Sequence, residues 1–212
     1  MNLIVIDKQP QLQWLDMAAA QAHCQRGASA WAWASNDAGG EPDVVLACAG
    51  DAATLEIVAA AWLLRKHAPE LRVRVVNVVD LMALFVPRLH PHGMDDAAFE
   101  GLFTRQAPVV FAFHGYQRAV HELVHARANV ERFHVRGFNE EGTTTTPFDM
   151  VVKNGMSRYH LCLDALKYAP HLGGRTQALT DHCTAMLARH ETYIRAHLED
   201  MPEVRDWTWT AL

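Results

Sequence analysis

Residues 44–67 read VVLACAGDAATLEIVAAAWLLRKH and join a short apolar run to a longer helical pattern through a glycine. The first five residues are all apolar and begin with two β-branched valines, as is typical of buried strands. Asp51 follows Gly50 and caps a helix that runs to about His67. The stretch therefore predicts a strand, a turn and a helix, which is the unit that builds parallel sheets.

Further β-branched runs recur between helical patterns along the rest of the chain. The predicted strands lie at residues 3–6, 44–48, 73–79, 109–113 and around 133–135. Their alternation with helices predicts an α/β fold, a three-layer domain with a mostly parallel five-stranded sheet. No internal repeat or Pro/Ser-rich linker divides the sequence, so residues 1–212 are expected to form a single domain.

The C-terminal third carries two more helical patterns and a short tail. One helix is predicted from Thr146 to about Tyr168, because the threonine is followed by a first-turn proline and an acidic residue. A second is predicted at roughly residues 175–199, after a glycine pair. Trp207 and Trp209 follow, and because exposed tryptophans are costly, we expect the tail to dock on its own domain or a neighbouring one.

Composition excludes several classes of protein. Half of the residues are apolar and 20% are charged, which argues against a disordered chain. The net charge of −5 argues against a nucleic-acid or anionic-membrane surface. Thirteen histidines make the charge strongly dependent on pH near neutrality.

Localisation follows from the absence of membrane and secretion signals. The longest apolar run, residues 57–64, is far shorter than the roughly 20 residues that a bilayer-spanning helix needs. Residues 1–8 lack the basic start and cleavage site of a signal peptide, so we expect a cytoplasmic protein. Its four cysteines are widely spaced and contain no C-x-x-C pair, which predicts reduced thiols.

The string His121-Glu122-Leu-Val-His125 matches the H-E-x-x-H zinc pattern. On a helix, the two imidazoles would lie one turn apart, with Glu122 as the general base. However, both histidines fall on a polar flank of this helix, and no third ligand follows at a zincin-like spacing. We interpret the match as a chance occurrence in a histidine-rich chain and predict no metal site.

Polar residues at strand ends are the other candidate contacts. Lys8 follows the predicted first strand, where α/β sheets bind ligands, and its ammonium suits a phosphate; a surface lysine is the alternative. His114 ends a strand and is either an anion contact or a turn histidine. The loop from Arg136 to Asp149 ends at a helix N-terminus, which favours anions, but it also fits a long capped connection. The turns at Gly50 and at residues 90–93 are weaker candidates.

Eight colinear segments together resemble the C-terminal domain of the phosphoketolases. They are residues 8–15, 33–37, 41–45, 73–82, 90–93, 111–116, 134–137 and 145–150. The resemblance implies the transketolase C-terminal fold. It also implies a longer homodimeric, thiamine-diphosphate-dependent lyase that splits xylulose 5-phosphate or fructose 6-phosphate with phosphate, giving acetyl phosphate and a shorter sugar phosphate.

The same resemblance assigns roles within this chain. It implies that Lys8 contacts the phosphate of the sugar substrate, although Asp7 stands where the family has glycine. His114 and Arg136 match family segments and are candidate interface or anion contacts. The resemblance implies that thiamine diphosphate and Mg²⁺ bind to preceding domains, that this domain binds no cofactor, and that the isolated chain is inactive. A regulatory anion-binding module and a zinc hydrolase remain as alternatives.

Overall fold

A computed structural model describes residues 3–6, 10–139, 142, 144–168 and 170–210. Within these residues five strands form one sheet, and the last four of them alternate with helices, as predicted. They are β1 (Ala28–Ala30), β2 (Val44–Ala49), β3 (Val73–Val78), β4 (Val109–Phe113) and β5 (Phe133–Gly137). The helices are α1 (Met17–Arg26), α2 (Asp51–His67), α3 (Asp96–Phe103), α4 (Gln117–Val124), α5 (Pro147–Lys153), α6 (Arg158–Lys167), α7 (Gln177–His197) and α8 (Pro202–Arg205).

The sheet has the strand order β1-β3-β2-β4-β5, and only β1 runs antiparallel to its neighbour. Every residue of β2 is buried, because alternate side chains point into the two layers of helices that cover the sheet. Leu46 packs with α2 and α6 on one face, and Ala47 packs with α3 and α4 on the other. The prediction of a three-layer α/β domain with a mostly parallel five-stranded sheet is therefore confirmed.

The predicted strand at residues 3–6 is wrong. Its four side chains, Leu3, Ile4, Val5 and Ile6, are 80–87% exposed, and the segment pairs with no strand of the sheet. The fifth strand is β1, three small residues that join the edge of β3. The apolar pattern of residues 3–6 is that of a buried strand, but the described residues offer it no partner and no cover.

The predicted long helix from Thr146 to about Tyr168 is two helices. Asn154 and Gly155 end α5, and Gly155 adopts the left-handed conformation at φ +61° that glycine tolerates best. The Ser157 hydroxyl then accepts a hydrogen bond from the His160 amide and starts α6. At the start of α2, Gly50 rather than Asp51 occupies the capping position.

The C-terminal tail docks on its own domain, which is one of the two outcomes expected from the sequence. Trp209 lies edge-on to Trp33 with ring centroids 5.0 Å apart, and Trp207 lies 6.5 Å from Trp14. The Trp62 indole nitrogen donates a hydrogen bond to the Thr210 carbonyl at 3.0 Å. These contacts join the chain end to the layer formed by α2 and α6.

The four cysteines are free thiols, as expected. Cys48, Cys162 and Cys183 are buried, whereas Cys24 is exposed. Burial raises the pKa of the Cys48 thiol to about 11, which keeps it protonated and unreactive at neutral pH. Among the residues with a described position, no helix is both long and apolar enough to cross a membrane.

Candidate functional site at the carboxyl edge of the sheet

His114 lies at the carboxyl end of β4, where the loops after three neighbouring strands meet. Its amide donates a hydrogen bond to the Ala49 carbonyl at 3.0 Å, which joins it to the end of β2. Its ring lies edge-on to Phe138, with centroids 4.8 Å apart, and Phe138 directly follows β5. The carboxyl ends of parallel strands are where α/β sheets bind ligands, so His114 is placed at the edge expected for a functional contact.

Two glycines allow these loops to approach one another closely. A Cβ on Gly50, which has φ +94°, would stand 2.5 Å from the Cβ of His114. A Cβ on Gly137 would stand 2.4 Å from the Gln117 nitrogen. No side chain fits at such distances, so the turn at Gly50 is a packing element that positions His114.

Arg136, in β5, is held by a carboxylate of α6. Its Nε and Nη2 donate to the two carboxylate oxygens of Asp164 at 2.6 and 2.8 Å, a bidentate pair. The hydrogen bonds of Asp164 raise the pKa of Arg136. The Arg136 side chain is 42% exposed, but Asp164 already compensates its charge. Arg136 therefore offers no uncompensated charge to an external anion, and its role as an interface or anion contact stays a prediction.

His160 lies next to this pair, in surroundings that favour the neutral imidazole. Its Nδ1 is 2.8 Å from the Ser157 hydroxyl. Burial, followed by the nearby charge of Arg136, lowers the pKa of His160. The site thus holds one compensated arginine, one histidine whose surroundings favour the neutral imidazole, and the exposed His114, a set suited to polar contact rather than to nucleophilic catalysis.

The loop that begins at Arg136 ends at the N-terminus of α5. Carboxylates of this domain already accept hydrogen bonds from the groups there. Asp200 accepts hydrogen bonds from the Thr146 hydroxyl and from the Phe148 amide, the latter at 3.1 Å. Asp149 accepts from the Thr145 hydroxyl at 2.7 Å and lies 3.1 Å from His190. Two carboxylates at this N-terminus disfavour an external anion, so the loop is a capped connection here.

Lys8 and Asp7 lie outside the described residues, as do the loop positions 140, 141 and 143. The described segments on either side of Lys8 are residues 3–6, which are exposed, and the stretch from residue 10. The role of Lys8 therefore stays a prediction.

The H-E-x-x-H string spans the last turn of α4 and the residue after it. His121, Glu122 and His125 are all exposed, and His125 uses Nδ1 to donate to the Glu122 carbonyl at 2.6 Å. Among residues whose placement is described, no group of three histidine, cysteine or carboxylate side chains is arranged to hold a metal ion. The two histidines therefore face solvent, as expected from their positions on the predicted helix.

The histidines at residues 90–93 belong to a turn. His92 Nδ1 lies 2.7 Å from Asp80, and the His92 amide donates to His90 Nδ1 at 3.1 Å. The His90 ring stacks near Phe85, with centroids 6.0 Å apart. These local contacts make the segment a structured turn after β3, in agreement with its interpretation from sequence.

A cleft of about 540 Å³, lined in part by Arg105, Arg127 and Arg132, lies near the opposite end of the sheet and was not predicted. Arg132 donates to the Phe103, Thr104 and Ala107 carbonyls at 2.7–2.8 Å. Arg127 donates in the same way to the Leu84 and Met94 carbonyls. Phe103 and Thr104 lie at the C-terminal end of α3, so Arg132 satisfies carbonyl groups that the helix leaves unpaired, and both arginines have a structural role. No local pattern of the sequence indicates these contacts, because they join residues 25–43 positions apart.

Comparison with known proteins decides the family. Residues 8–209 match the family model described as the XFP C-terminal domain. Over 210 residues the chain is 55% identical to the probable phosphoketolase of Nitrosomonas europaea. The aligned residues make up 99% of this chain and 27% of that protein. The corresponding protein of Rhodopseudomonas palustris strain HaA2 is 56% identical over the same shares. The chain belongs to the phosphoketolase family.

This phosphoketolase chain corresponds to the family's C-terminal domain and spans about a quarter of the length of the curated relatives it matches. Two solved transketolases are also similar. Transketolase from Leishmania mexicana is 16% identical, with 73% of this chain and 20% of that chain covered at a TM-score of 0.46. Transketolase from Pichia stipitis is 11% identical, with 72% and 19% covered at a TM-score of 0.48.

Proposed function

We propose that this chain is the C-terminal, non-cofactor-binding domain of a thiamine-diphosphate-dependent phosphoketolase. The complete enzyme would cleave xylulose 5-phosphate or fructose 6-phosphate with inorganic phosphate to acetyl phosphate and a shorter sugar phosphate. The supporting observation is the 55% identity to a probable phosphoketolase, which extends over 99% of the chain. Agreement of that extent covers the whole fold rather than one short motif.

The family assignment supports a site for thiamine diphosphate and its metal ion in other domains of the complete enzyme. The residues described here contain no group of three histidine, cysteine or carboxylate side chains arranged to hold a metal ion. When bound in a complete enzyme, the cofactor supplies carbanion chemistry at the ketose. We therefore assign the cofactor to the preceding domains and give this domain a role in binding and packing.

Within that function we assign the substrate phosphate to Lys8. A lysine ammonium is a compact cation that binds a phosphate without fixing its orientation. Holding the phosphate away from the reacting carbons lets its binding energy orient the ketose. His114, which is exposed at the carboxyl edge, and Arg136, which is half-exposed there, would contact the preceding domains in a homodimeric enzyme.

Steady-state kinetics of the full-length enzyme test these assignments. Lys8→Ala should raise KM for the sugar phosphate and leave the affinity for thiamine diphosphate unchanged, whereas Lys8→Arg should retain part of the binding. Lys66→Ala is the matched control, because Lys66 is an exposed lysine in the last turn of α2.

The two parts of the proposal fail in different ways. A wild-type enzyme that forms no acetyl phosphate from either sugar phosphate would contradict the phosphoketolase assignment. An active enzyme whose KM is the same in Lys8→Ala and Lys66→Ala would remove Lys8 from the substrate site but keep the family function.

A further inference from the structure

The cleft lined by Arg105, Arg127 and Arg132, here called the arginine cleft, has no part in the proposed function. Its volume of about 540 Å³ lies within the range of about 300–1,000 Å³ that is typical of small-molecule sites. The loops before β4 and β5 form its walls together with α3. One aromatic ring, that of Phe99, lies among charged and amide side chains, so polar contacts would select the ligand.

The three arginines differ in how their charges are compensated. Arg127 is buried and donates to the Asp96 carboxylate at 2.8 Å. Arg105 is 75% exposed and donates through Nε to Glu100 at 2.7 Å. Arg132 is only 9% exposed, yet no carboxylate of the described residues hydrogen-bonds to it. It donates to three backbone carbonyls, and its Nε has no hydrogen-bond partner among those residues.

The buried charge of Arg132 specifies the sign of a ligand's charge. Buried charges in proteins are paired with an opposite charge, because burial without one is costly. Burial lowers the pKa of Arg132, and the charge of Glu131 offsets this only in part. An anion in the cleft would supply the missing counter-charge.

The backbone at the rim of the cleft is strained in a way that holds Arg132 in place. Thr104 has φ +59° and ψ −175°, a conformation that is nearly restricted to glycine. Its carbonyl accepts from Arg132 Nη2 at 2.8 Å, and its hydroxyl accepts from the Ala107 amide at 3.0 Å. Asn129, in the loop before β5, also has a positive φ of +52°. Strain of this kind clusters at ligand sites, where it fixes a side chain before the ligand arrives.

Arg105 offers the donors that an anion can reach. Among the described residues only its Nε has a hydrogen-bond partner, so Nη1 and Nη2 remain available at an exposed position. The exposed pair with Glu100 contributes little to stability and can exchange its carboxylate for a ligand. Guanidinium groups bind phosphate oxygens through pairs of N–H donors. The cleft is far larger than a phosphate ion, which favours a phosphate carried by an organic molecule.

We propose that the arginine cleft binds a phosphate group, with Arg105 as the direct contact and the buried Arg132 as the charge that attracts it. Asp96 and Glu100 line the same cleft, so the three arginines leave a single excess positive charge. This excess suits one phosphate group rather than a polyphosphate. The inference does not rest on the proposed function, because it concerns no residue assigned there.

Calorimetric titration of the 212-residue chain with glycerol 3-phosphate and with inorganic phosphate tests the site. The wild-type chain should bind one equivalent with a dissociation constant below about 10 mM. Arg105→Gln should weaken the binding by more than about 10-fold, and the exposed position of Arg105 keeps this variant folded. Arg189→Gln is the matched control and should keep the wild-type affinity, because Arg189 is also an exposed arginine paired with a glutamate, Glu203.

The titrations separate the two sources of a phosphate group. Tighter binding of glycerol 3-phosphate would identify an ester as the ligand, equal or tighter binding of inorganic phosphate would identify the free ion, and both results support the site. No binding of either by the wild-type chain at about 50 mM would overturn the inference. Equal affinities of Arg105→Gln and Arg189→Gln would also overturn it, as would loss of binding in Lys8→Ala with binding retained in Arg105→Gln.

Nitrogen-15 NMR of the same titration tests the role of the buried arginine. The Nε–H resonance of Arg132 should shift as the ligand is added. The resonance of Arg158, which is buried against Glu56, is the control and should not shift. Binding that leaves the Arg132 resonance unchanged would remove this arginine from the site and overturn the inference.

Discussion

Glu56 of α2 and Arg158 of α6 form a buried ion pair between residues 102 positions apart. The Arg158 Nη2 and Nε donate to the two Glu56 oxygens at 2.7 and 3.0 Å, and the Arg158 amide donates to the same carboxylate at 2.6 Å. Both side chains are 3% exposed. Burial opposes the charge of Arg158, but the charge and hydrogen bonds of Glu56 outweigh it and raise its pKa.

Removing one partner of this pair should lower the free energy of unfolding of the domain. Glu56→Gln leaves the Arg158 guanidinium buried without a counter-charge, and the free energy of unfolding should fall by about 3–5 kcal/mol. Urea unfolding followed by circular dichroism measures the loss. Glu100→Gln, which breaks the exposed pair with Arg105, should leave stability nearly unchanged. Equal small losses in both variants would show that the buried pair adds nothing to stability.

An apolar run predicted a strand correctly where other residues of this chain cover both faces of that strand. That condition holds for β2, β3 and β4, and it fails for residues 3–6, which are also a run of apolar residues. The β1 strand consists of Ala-Ser-Ala, which carries no β signal, and only its pairing with β3 makes it a strand. The break between α5 and α6 did have a signal, the Asn154-Gly155 pair, that the helical pattern around it concealed.

The candidate site could be predicted only in part, because its contacts join distant positions. Sequence placed His114 and Arg136 after or within strands, so that parallel topology brings them to one edge. The partner of Arg136 is Asp164, 28 residues away on a helix, and no local pattern indicates that pairing. The position of Lys8 after the predicted first strand left a phosphate contact and a surface lysine open, and only the resemblance assigned it to the substrate phosphate.

The stability of the domain should fall as the pH drops below neutrality, because His23 is buried as a neutral imidazole. Its Nε2 donates to the Asn77 side-chain oxygen at 2.8 Å, and its Nδ1 accepts from the Ser29 hydroxyl at 2.7 Å. Burial lowers the pKa of His23, and the charge of Arg26 lowers it further. The unfolded chain therefore binds this proton more tightly than the folded one.

The sign of this effect fixes the pH window. The contribution of His23 is complete above its unfolded pKa of about 6.5 and is lost as the pH falls through the lower folded value. Chemical unfolding at pH 7.5 and pH 5 should show the loss, and His23→Gln should reduce the difference between the two pH values. His125→Gln, at an exposed histidine, should keep the wild-type difference. An unchanged difference in His23→Gln would contradict the prediction.

A methyl group at residue 50 should separate the loops of the candidate site. Gly50→Ala places a Cβ 2.5 Å from that of His114 and imposes a left-handed φ of +94° on alanine, so the free energy of unfolding should fall by more than about 1 kcal/mol. Gly101→Ala lies within α3 with no atom near its Cβ and should raise stability by up to about 1 kcal/mol. Thermal unfolding distinguishes the two.

The source of the Gly50 effect can be separated from backbone strain. The double substitution Gly50→Ala with His114→Gly removes the clash and leaves the left-handed φ, so it should recover part of the loss if contact dominates. No recovery would assign the whole effect to backbone conformation.

The amide of His114 donates a hydrogen bond to the Ala49 carbonyl, so a shift of the backbone at residue 50 is expected to change the hydrogen-exchange rate of that amide.

The docked tail should contribute to stability through its tryptophans. Trp209 lies edge-on to Trp33 and under the Arg65 guanidinium, which stands 5.3 Å from its ring centroid. Trp209→Ala should lower the free energy of unfolding by about 1–3 kcal/mol and shift the emission of the remaining tryptophans to longer wavelength as water reaches Trp33. Trp209→Phe keeps an aromatic ring in place and should lose less. Tyr116 is an aromatic residue that is 64% exposed, so Tyr116→Ala should change neither the free energy of unfolding nor the emission wavelength. An equal effect of Trp209→Ala and Tyr116→Ala would mean that this contact does not hold the tail.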